Sequence, residues 1–478
     1  DLKEEVGKRL LYRDLRNYAS GHGCATDWSD DNKVTWISTD LMPTAEVKPV
    51  RSELRTVPSS LLRMSTFSNE KEWDKTEKSI NLLCDAYEEW INEKRSEADS
   101  LDEPYHDVAH ENIQNCASVL SRMRNGARLL HDDAIVRKAF IQANRAMYDQ
   151  YLHYSVVSGN RKSIKDQEGI ERSWRPFQLA FILMNIGSFV DVESEERQLL
   201  DLIWFPTGGG KTEAYLGLTA FVLLYERLTN STSDGITVLM RYTLRLLTSQ
   251  QFLRAATLVC ALESMLRTDT AGELGERPFA IGLWAGSDVS PNYWKQAISE
   301  WQDYSKKGAE FPFPVIACPW CGEDLRRKGY KKERGKKCGR ESDYILTCKC
   351  SNPDCEYHGR SGLPIQFVDE DLYEFPPSIL ISTVDKLAQL PYRPESYALF
   401  GKGESAACKP PKLIIQDELH LITGPLGSMM ASYETLVDEL CTARNNQSCV
   451  KPKIVASTAT ISHAAEQCHA LFGIARSN

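Results

Sequence analysis

The sequence lacks a long hydrophobic run: none of its 478 residues falls in an uninterrupted apolar window of about 18 residues, which argues against a transmembrane helix. Its first residues, DLKEEVGKRLLYRDL, contain neither a long apolar core nor a small-residue cleavage site, so they predict no secretory signal. Positive charge is not in excess either, because 57 Lys and Arg stand against 66 Asp and Glu, a net charge of −9. This balance argues against a protein that is basic all over, but it permits a local basic contact for nucleic acid.

Cysteine is too sparse for a disulfide scaffold, with 14 residues in the whole chain. Six of these cysteines lie between positions 318 and 355. Such clustering favours a metal site in a reducing compartment, so we expect a cytoplasmic protein without a membrane partner. A hydrophobic fraction of 42% and a charged fraction of 26% are typical of ordinary folded domains, and the length predicts roughly two to four of them.

Residues 1–165 predict a mainly α-helical accessory domain. Between Asn69 and Arg95, apolar side chains recur at three- and four-residue steps and so share one helix face. The stretch 110–154 is also periodic, and its turn signals at Asn125-Gly126 and at 131–133 predict two helices. Residues 20–60 are irregular and predict a strand or two. We find no catalytic pattern in this part of the chain and expect a scaffold or docking role.

From about residue 166 the sequence alternates short apolar runs with helical stretches. Continuous apolar runs between helices are typical of parallel strands buried on both faces. Residues 166–478 therefore predict an α/β fold with a doubly wound parallel sheet. Residues 290–375, which carry the cysteine cluster and a basic stretch, interrupt the alternation and predict an inserted subdomain. The predicted strands are LLDLIWF, GITVLM, FAIGLWAG, SILIST, KLIIQDE and KIVAST.

A glycine-rich turn joins the first of these strands to a helix, in the order that phosphate binding requires. Glycines let backbone N–H groups surround phosphates, and the helix N-terminus adds partial positive charge. We expect Lys211 to reach the β- and γ-phosphates of ATP and Thr212 to hold Mg²⁺. The strict motif has glycine where this chain has Phe205, so the match is to a variant form. The turn reads Pro206-Thr207-Gly208-Gly209-Gly210-Lys211-Thr212.

An acid pair follows the predicted strand KLIIQ, in the segment Asp417-Glu418-Leu419-His420. We expect this segment and the phosphate loop to meet on neighbouring strand tips. There Asp417 can hold Mg²⁺ directly or through water, and Glu418 can orient or deprotonate the attacking water. His420 is expected to sense the γ-phosphate. The two motifs together predict an ATP hydrolase.

Weaker segments flank these two motifs. Gln178, about 30 residues before the phosphate loop, is either an adenine-reading amide or an ordinary surface helix residue. Three further segments follow predicted strands, where hydroxyl, amide and basic side chains can bind a nucleic-acid backbone or report the nucleotide state. Serine and threonine at strand ends are also common helix caps, which is the competing interpretation. The candidate residues are Arg245, Gln250, Thr383, Lys386, Thr458 and Thr460.

Two cysteine pairs in the insertion predict a structural Zn²⁺ site. Cys318 and Cys321 form a CxxC-Gly knuckle, and Cys350 and Cys355 follow at a separation that can close a tetrahedron around the metal. Four thiolates leave no open coordination position, so we expect no catalytic role for this metal. The spacing leaves two substitutes open as ligands, Cys348 and His358.

A basic stretch, 326–340, lies between the two cysteine pairs and holds nine basic residues and one acid. A zinc-held hairpin with this charge is a candidate contact for a DNA backbone, without sequence preference. The competing interpretation is an ordinary solvated loop. The lysines that we expect to make the contact are Lys331, Lys332, Lys336 and Lys337.

In this order the motifs resemble motifs Q, I, Ia, Ib, II and III of superfamily 2 helicases and translocases, over about residues 172–475. The amino-acid sequences of segments 204–217 and 416–428 resemble those of the DrmA family, the helicase subunits of bacterial DISARM anti-phage systems. The position of the cysteine-rich insertion is also similar to that in this family. The resemblance implies a RecA-like ATPase domain. It also implies DNA as a partner, single-stranded or duplex with a single-stranded region, and a second defence subunit similar to DrmB.

The resemblance further implies a second RecA-like domain with motifs IV to VI, yet the sequence stops about 18 residues after motif III. Since it also lacks an initiator Met, we expect a processed product or a fragment without that domain. An arginine finger of motif VI contributes roughly 10³–10⁵ in rate, so we expect this chain alone to bind ATP but to hydrolyse it weakly.

The leading hypothesis is an ATP-dependent DNA helicase or translocase module, the motor subunit of an anti-phage complex. The alternative is a nucleotide-gated DNA-sensing scaffold that assembles with a partner and does not translocate. The presence of Glu418 disfavours a passive scaffold, because nucleotide binding alone does not require that carboxylate. A metal-dependent nuclease is not supported, since we find no second acidic constellation in the sequence.

Overall fold

In a computed structural model, the chain forms two compact units, Asp1–Pro58 with Leu82–Ser121, and Ser59–Asn81 with Arg122–Asn478. The boundaries predicted at 165/166 and at 290–375 stay predictions. The structure describes residues 2–14, 16–29, 33–40, 54, 56–159, 170–205, 209–243, 245–287, 289–334, 344–359, 362–402, 408–444, 449–459 and 463–474.

The helices and strands have the following bounds. The helices are α1 (Leu2–Leu11), α2 (Met64–Phe67), α3 (Trp73–Asp99), α4 (Tyr105–Asp132), α5 (Ala134–Val157), α6 (Pro176–Val190), α7 (Glu195–Gln198), α8 (Lys211–Thr229), α9 (Arg245–Thr268), α10 (Trp294–Lys307), α11 (Asp369–Glu374), α12 (Val384–Leu387), α13 (Gly424–Cys441) and α14 (Ala464–Phe472). The strands are β1 (Ala25–Trp28), β2 (Ile37–Asp40), β3 (Leu200–Trp204), β4 (Val238–Tyr242), β5 (Ile281–Trp284), β6 (Tyr330–Arg334), β7 (Tyr344–Cys348), β8 (Ile365–Gln366), β9 (Ile379–Thr383), β10 (Leu413–Gln416), β11 (Ala443–Arg444), β12 (Cys449–Val450) and β13 (Lys453–Thr458). Within the described ranges, every helix is too short or too polar to cross a membrane.

The helix break predicted near residue 126 is wrong, because α4 continues through it to Asp132. Gly126 serves close packing instead: a Cβ there would lie 2.1 Å from the carbonyl oxygen of Leu183 in α6. The break falls at Asp133, whose side chain accepts hydrogen bonds from the backbone N–H groups of Ile135 and Val136 and so caps α5.

A parallel sheet of seven strands forms the centre of the second unit, in the order β3-β13-β10-β4-β9-β5-β8. All neighbouring pairs are parallel, as the apolar runs predict, and helices cover the sheet. The register aligns the carboxyl ends of the strands, since Ala456 of β13 pairs with Gln416 of β10, which pairs with Arg241 of β4. The α/β, doubly wound fold is therefore confirmed, with its polar strand ends at one edge.

One detail of the predicted topology is wrong: β3 and β10 are not neighbours, because β13 lies between them. The phosphate-loop strand therefore reaches the acid pair across the strand that carries Ser457 and Thr458. This places the hydroxyl segment between the two motifs rather than beside them.

A buried charge cluster fastens β3 to β13. Asp201 accepts hydrogen bonds from the Arg122 guanidinium at 2.7 and 2.6 Å and lies 2.7 Å from Lys453 Nζ. Burial alone would raise the pKa of Asp201, but Arg122 and Lys453 outweigh it and hold this pKa below its ordinary value. The contribution to stability is thus present at neutral pH and is lost as the pH falls through the lowered pKa.

The insertion ends inside the main sheet. Strands β6 and β7 pair as an antiparallel hairpin, whose tip, 335–343, lies outside the described residues. After the second cysteine pair the chain returns through β8, which pairs with β5 at the sheet edge. The cysteine-rich segment therefore leaves the seven-stranded sheet after β5 and re-enters it at the neighbouring position.

Candidate nucleotide site and tetracysteine cluster

Helix α8 begins at Lys211, directly after the glycine turn that follows β3. Gly210 has φ +88°, a conformation that other residues rarely adopt, so glycine is favoured here. Lys211 is only 6% exposed, and among the described residues its ammonium has no hydrogen-bond partner. A buried, unpaired ammonium at a helix N-terminus suits a polyanion such as a triphosphate. Pro206, Thr207 and Gly208 lie outside the described residues.

Helix α6 holds the glycine turn in place. The Gln178 amide donates to the carbonyl of Gly210 at 2.7 Å, and its oxygen accepts from the backbone N–H of Arg175 at 2.9 Å. The Arg175 guanidinium donates to the carbonyl of Gly209. Gln178 is 1% exposed, so the alternative of a surface helix residue does not hold, while adenine recognition stays a prediction. The role of Arg175 was missed, because sequence alone did not show which backbone carbonyl its side chain would meet.

The acid pair lies at the carboxyl end of β10. Asp417 is 5% exposed, and its carboxylate accepts hydrogen bonds from the Ser457 hydroxyl and, at 3.0 Å, from the backbone N–H of Glu418. Glu418 has φ +49°, a left-handed conformation that is unfavourable for a side chain of this type. Backbone strain of this kind is concentrated at functional sites, where the surrounding structure enforces it.

Tyr215 connects the phosphate-loop helix to the acid pair. Its hydroxyl lies within interaction range of the side chains of both Thr212 and Asp417. Burial, reinforced by the Asp417 charge, raises the pKa of Tyr215 well above its ordinary value, so the phenol stays protonated. The two motifs therefore meet within the reach of one side chain, although their strands are separated by β13.

His420 lies between the acid pair and the segment after β13. Its Nδ1 is 3.4 Å from Glu418 Oε2, 3.4 Å from Thr458 Oγ1 and 3.5 Å from the backbone nitrogen of Ala459. This arrangement gives a continuous set of contacts from Glu418 to Thr458. Thr460 lies outside the described residues.

The residues predicted to contact nucleic acid differ in whether their side chains are exposed. Lys386 is not open to a phosphate here: it is 1% exposed, and its Nζ lies 2.6 Å from Asp369 Oδ2 and 3.3 Å from Asn292 Oδ1. Thr383 is fully buried as well. Gln250 is exposed on α9, whereas the side chain of Arg245 lies outside the described residues.

The insertion brings together four sulfur atoms. The Sγ atoms of Cys318, Cys321, Cys350 and Cys355 all lie within 4.8 Å of one another. Gly322, at φ +80°, donates its N–H to the carbonyl of Cys318 at 2.9 Å and closes the first knuckle. Hydrogen bonding from Cys318 lowers the pKa of Cys321, which favours the thiolate that metals bind. Four cysteine sulfurs this close together fit Zn²⁺, which structural sites commonly bind with four thiolates.

The two substitute ligands lie outside this group of sulfurs. The Cys348 thiol is in β7, where it interacts with the Tyr330 hydroxyl. The Nδ1 atom of His358 donates a hydrogen bond to the carbonyl oxygen of Cys350 at 3.2 Å. The structure thus brings together the four cysteines predicted as the main ligands. His358 instead hydrogen-bonds to the backbone of one of them, Cys350.

The tetracysteine cluster is anchored on two helices of the second compact unit. The Trp320 ring stacks on His153 of α5 with centroids 3.3 Å apart, and His153 Nδ1 donates to the carbonyl of Trp320 at 2.6 Å. Burial lowers the pKa of His153 to about 4, so this imidazole is neutral at physiological pH. The Tyr357 hydroxyl donates to the carbonyl of Cys260 in α9 at 2.6 Å. Sequence analysis missed both anchors, because each joins residues about 100 or more positions apart.

Replacing Cys321 by serine is expected to remove one equivalent of Zn²⁺ per chain. A serine hydroxyl binds Zn²⁺ far more weakly than a thiolate, and three ligands leave the tetrahedron open. The matched control is Cys348→Ser, which changes the same atom on a cysteine outside the cluster and should retain the metal. Elemental analysis of the purified proteins measures this; equal zinc loss in both variants would contradict the assignment of ligands.

No known protein-family model matches the chain. "DISARM protein DrmA" of Bacillus paralicheniformis is 34% identical over 520 aligned positions, which cover 97% of this chain and 45% of that protein. The chain therefore spans less than half the length of this curated relative.

Two solved structures are similar to the chain, both with low sequence identity and low TM-scores. The DUF1998 helicase MrfA bound to DNA matches with 17% identity and a TM-score of 0.32, over 67% of this chain and 26% of that one. The yeast DEAD-box splicing factor Prp28 matches with 12% identity and a TM-score of 0.33, over 66% and 47%.

The parallel sheet, with a phosphate loop and an acid pair at one edge, defines a domain with a RecA-like P-loop fold. Within that class, the resemblance predicted from segments 204–217 and 416–428 is confirmed. The chain is a relative of the DISARM protein DrmA.

Proposed function

We propose that the chain is the ATP-binding module of a DNA helicase or translocase, the motor of a bacterial anti-phage defence complex. One observation carries the proposal: Tyr215 joins Thr212 of the phosphate-loop helix to Asp417 of the acid pair, and the ammonium of Lys211 in the same helix has no partner among the described residues. A cation and oxygen ligands thus converge at the edge where a triphosphate and Mg²⁺ would bind.

Each residue of this site has a distinct role in the proposed reaction. Lys211 binds the β- and γ-phosphate oxygens, and Thr212 and Asp417 hold Mg²⁺, which when bound neutralises charge on the phosphates. Glu418 orients the attacking water and accepts its proton. Ser457 keeps the Asp417 carboxylate facing the metal position through its hydrogen bond.

The contacts of His420 link the site of ATP hydrolysis to the segment that follows β13. Loss of the γ-phosphate would change the position of Glu418, which His420 contacts directly together with Thr458. Thr458 ends β13, so a shift there moves the segment that follows this strand. We propose this route as the coupling between the nucleotide state and DNA.

The basic hairpin supports the choice of DNA as a partner. Lys331 and Lys332 are exposed on β6, and Lys332 Nζ lies 4.0 Å from the centroid of the Tyr344 ring. Ammonium groups beside an exposed aromatic ring suit a nucleic-acid backbone with stacked bases. Lys336 and Lys337, which we also propose as contacts, lie outside the described residues.

Replacing Lys331 and Lys332 together by alanine is expected to flatten the salt dependence of duplex DNA binding. Each phosphate contact that is lost reduces the slope of log K against log salt by about 0.9, so the pair should reduce it by about two. The control is Lys71→Ala with Lys75→Ala, which removes the same charge from two exposed positions just before and within the first turn of α3. An unchanged slope in the hairpin variant would exclude these lysines as contacts.

The relative's name, DISARM protein DrmA, supports a second proposal, that the motor works with another defence subunit similar to DrmB. The alternative function is a nucleotide-gated scaffold that senses DNA with such a partner but does not move along it. Displacement of a third strand from duplex DNA by the full-length protein and ATP separates the two. ATP-dependent displacement supports the motor, whereas ATP-dependent partner binding without displacement supports the scaffold.

A further inference from the structure

A second group of metal-ligating side chains lies in the first compact unit. Asp99 is the last residue of α3, and His106 and His110 lie on α4 after the connection 100–104. One ligand atom from each of these three residues lies within 4.8 Å of the other two. The four-residue spacing places both imidazoles on the same face of α4.

The distances suit a bound ion. The two imidazole centroids are 4.4 Å apart, and His110 Nε2 lies 3.2 Å from Asp99 Oδ1. Zinc bonds of 2.0–2.1 Å at tetrahedral angles place neighbouring ligand atoms about 3.3 Å apart. Within the described part of the chain, this buried Nε2 atom has no hydrogen-bond partner, although the carboxylate is so near. The separation of this nitrogen and oxygen is the one expected for two ligands of a single ion.

The surroundings strengthen the case for a cation. His106 Nδ1 lies 3.4 Å from Asp107 Oδ1, which leaves Nε2 as its metal-binding atom, as in carboxylate–histidine–metal arrangements. Glu103, His106 and Asp107 form an overlapping group within the same 4.8 Å limit. Asp99, Glu103 and Asp107 bring three carboxylates to one short connection, and a divalent ion would relieve their mutual repulsion.

We propose that Asp99, His106 and His110 bind one divalent transition-metal ion, with Zn²⁺ as the best match to two imidazoles and a carboxylate. The ion fastens the end of α3 to the start of α4. Three protein ligands leave a fourth position for water or for a neighbouring carboxylate. The site is independent of the tetracysteine cluster and of ATP.

Metal counting and Co²⁺ spectroscopy test this proposal on tag-free protein. We expect wild type to bind two equivalents of Zn²⁺ and the His106→Gln/His110→Gln variant to bind one. With Co²⁺, the tetracysteine cluster gives intense thiolate-to-metal charge-transfer bands, and the second site adds only weak d–d bands because its donors are nitrogen and oxygen. Those weak bands should vanish in the variant while the charge-transfer bands remain.

The control variant is His131→Gln, which removes an exposed imidazole from the same helix and should keep both equivalents. Circular dichroism checks that all variants are folded; the substituted histidines are partly exposed, so we expect unchanged spectra. Equal metal content in wild type and the double histidine variant would overturn the proposal. Loss of the second equivalent in His131→Gln would overturn it too, because binding would then be a general property of surface histidines.

Discussion

ATP hydrolysis by the full-length protein is expected to fall by about 10²- to 10³-fold when Lys211 is replaced by alanine, the range found when one preorganised charge-stabilising donor is removed. Lys211 is buried and unpaired among the described residues, so its ammonium is available to the β- and γ-phosphates without breaking another contact. Alanine also favours helix formation, so α8 should still begin at this position. The loss should therefore be chemical rather than structural.

A steady-state assay of phosphate release measures this effect. Its control is Lys295→Ala, which removes an exposed lysine from the surface of α10 and should leave the turnover unchanged. The affinity for ATP should weaken in Lys211→Ala as well, since the same ammonium contacts the bound nucleotide. Turnover within a factor of a few of wild type would show that another cation binds the phosphates.

Replacing Glu418 by glutamine is expected to slow hydrolysis by about 10³-fold while ATP affinity is retained, since general-base catalysis typically contributes 10²–10⁴. The amide keeps the size of the side chain but cannot accept the proton of the attacking water. The strained backbone of Glu418 is held by the Asp417 carboxylate through its hydrogen bond to the Glu418 N–H, and this bond survives the substitution.

Single-turnover hydrolysis, measured beside equilibrium ATP binding, separates these two effects. Glu276→Gln makes the same change on the surface and should alter neither quantity. Loss of ATP binding together with hydrolysis would assign Glu418 to binding instead of chemistry. Unchanged hydrolysis would favour the scaffold alternative, because a carboxylate without a catalytic role fits a nucleotide-gated switch.

The parts of the fold that sequence predicts are those encoded by neighbouring residues. The phosphate loop combines a buried strand, glycines and a helix start within a short segment, so the beginning of α8 at Lys211 follows from local chemistry. The apolar run before Asp417 predicts a buried strand in the same way. The knuckle at Cys318 and Cys321 is also local, since a glycine with positive φ closes it.

What sequence did not show depends on contacts between distant segments. The insertion of β13 between β3 and β10 is a matter of strand order, which no single segment encodes. The burial of Lys386 depends on Asp369, which belongs to a different element, whereas a lysine after a strand by itself predicts a phosphate contact. Gly126 looked like a turn signal because its partner, the carbonyl of Leu183, is far away in the chain.

The central claim is that the phosphate loop and the acid pair bind one triphosphate–Mg²⁺ complex. A double-mutant cycle with Lys211→Ala and Asp417→Asn, read out as the affinity for a non-hydrolysable ATP analogue in saturating Mg²⁺, tests it most directly. If both residues bind the same complex, the two losses should be coupled by about 1 kcal/mol or more, because the ammonium and the carboxylate-bound metal share phosphate oxygens. Strictly additive losses, or no effect of Asp417→Asn, would contradict a shared site.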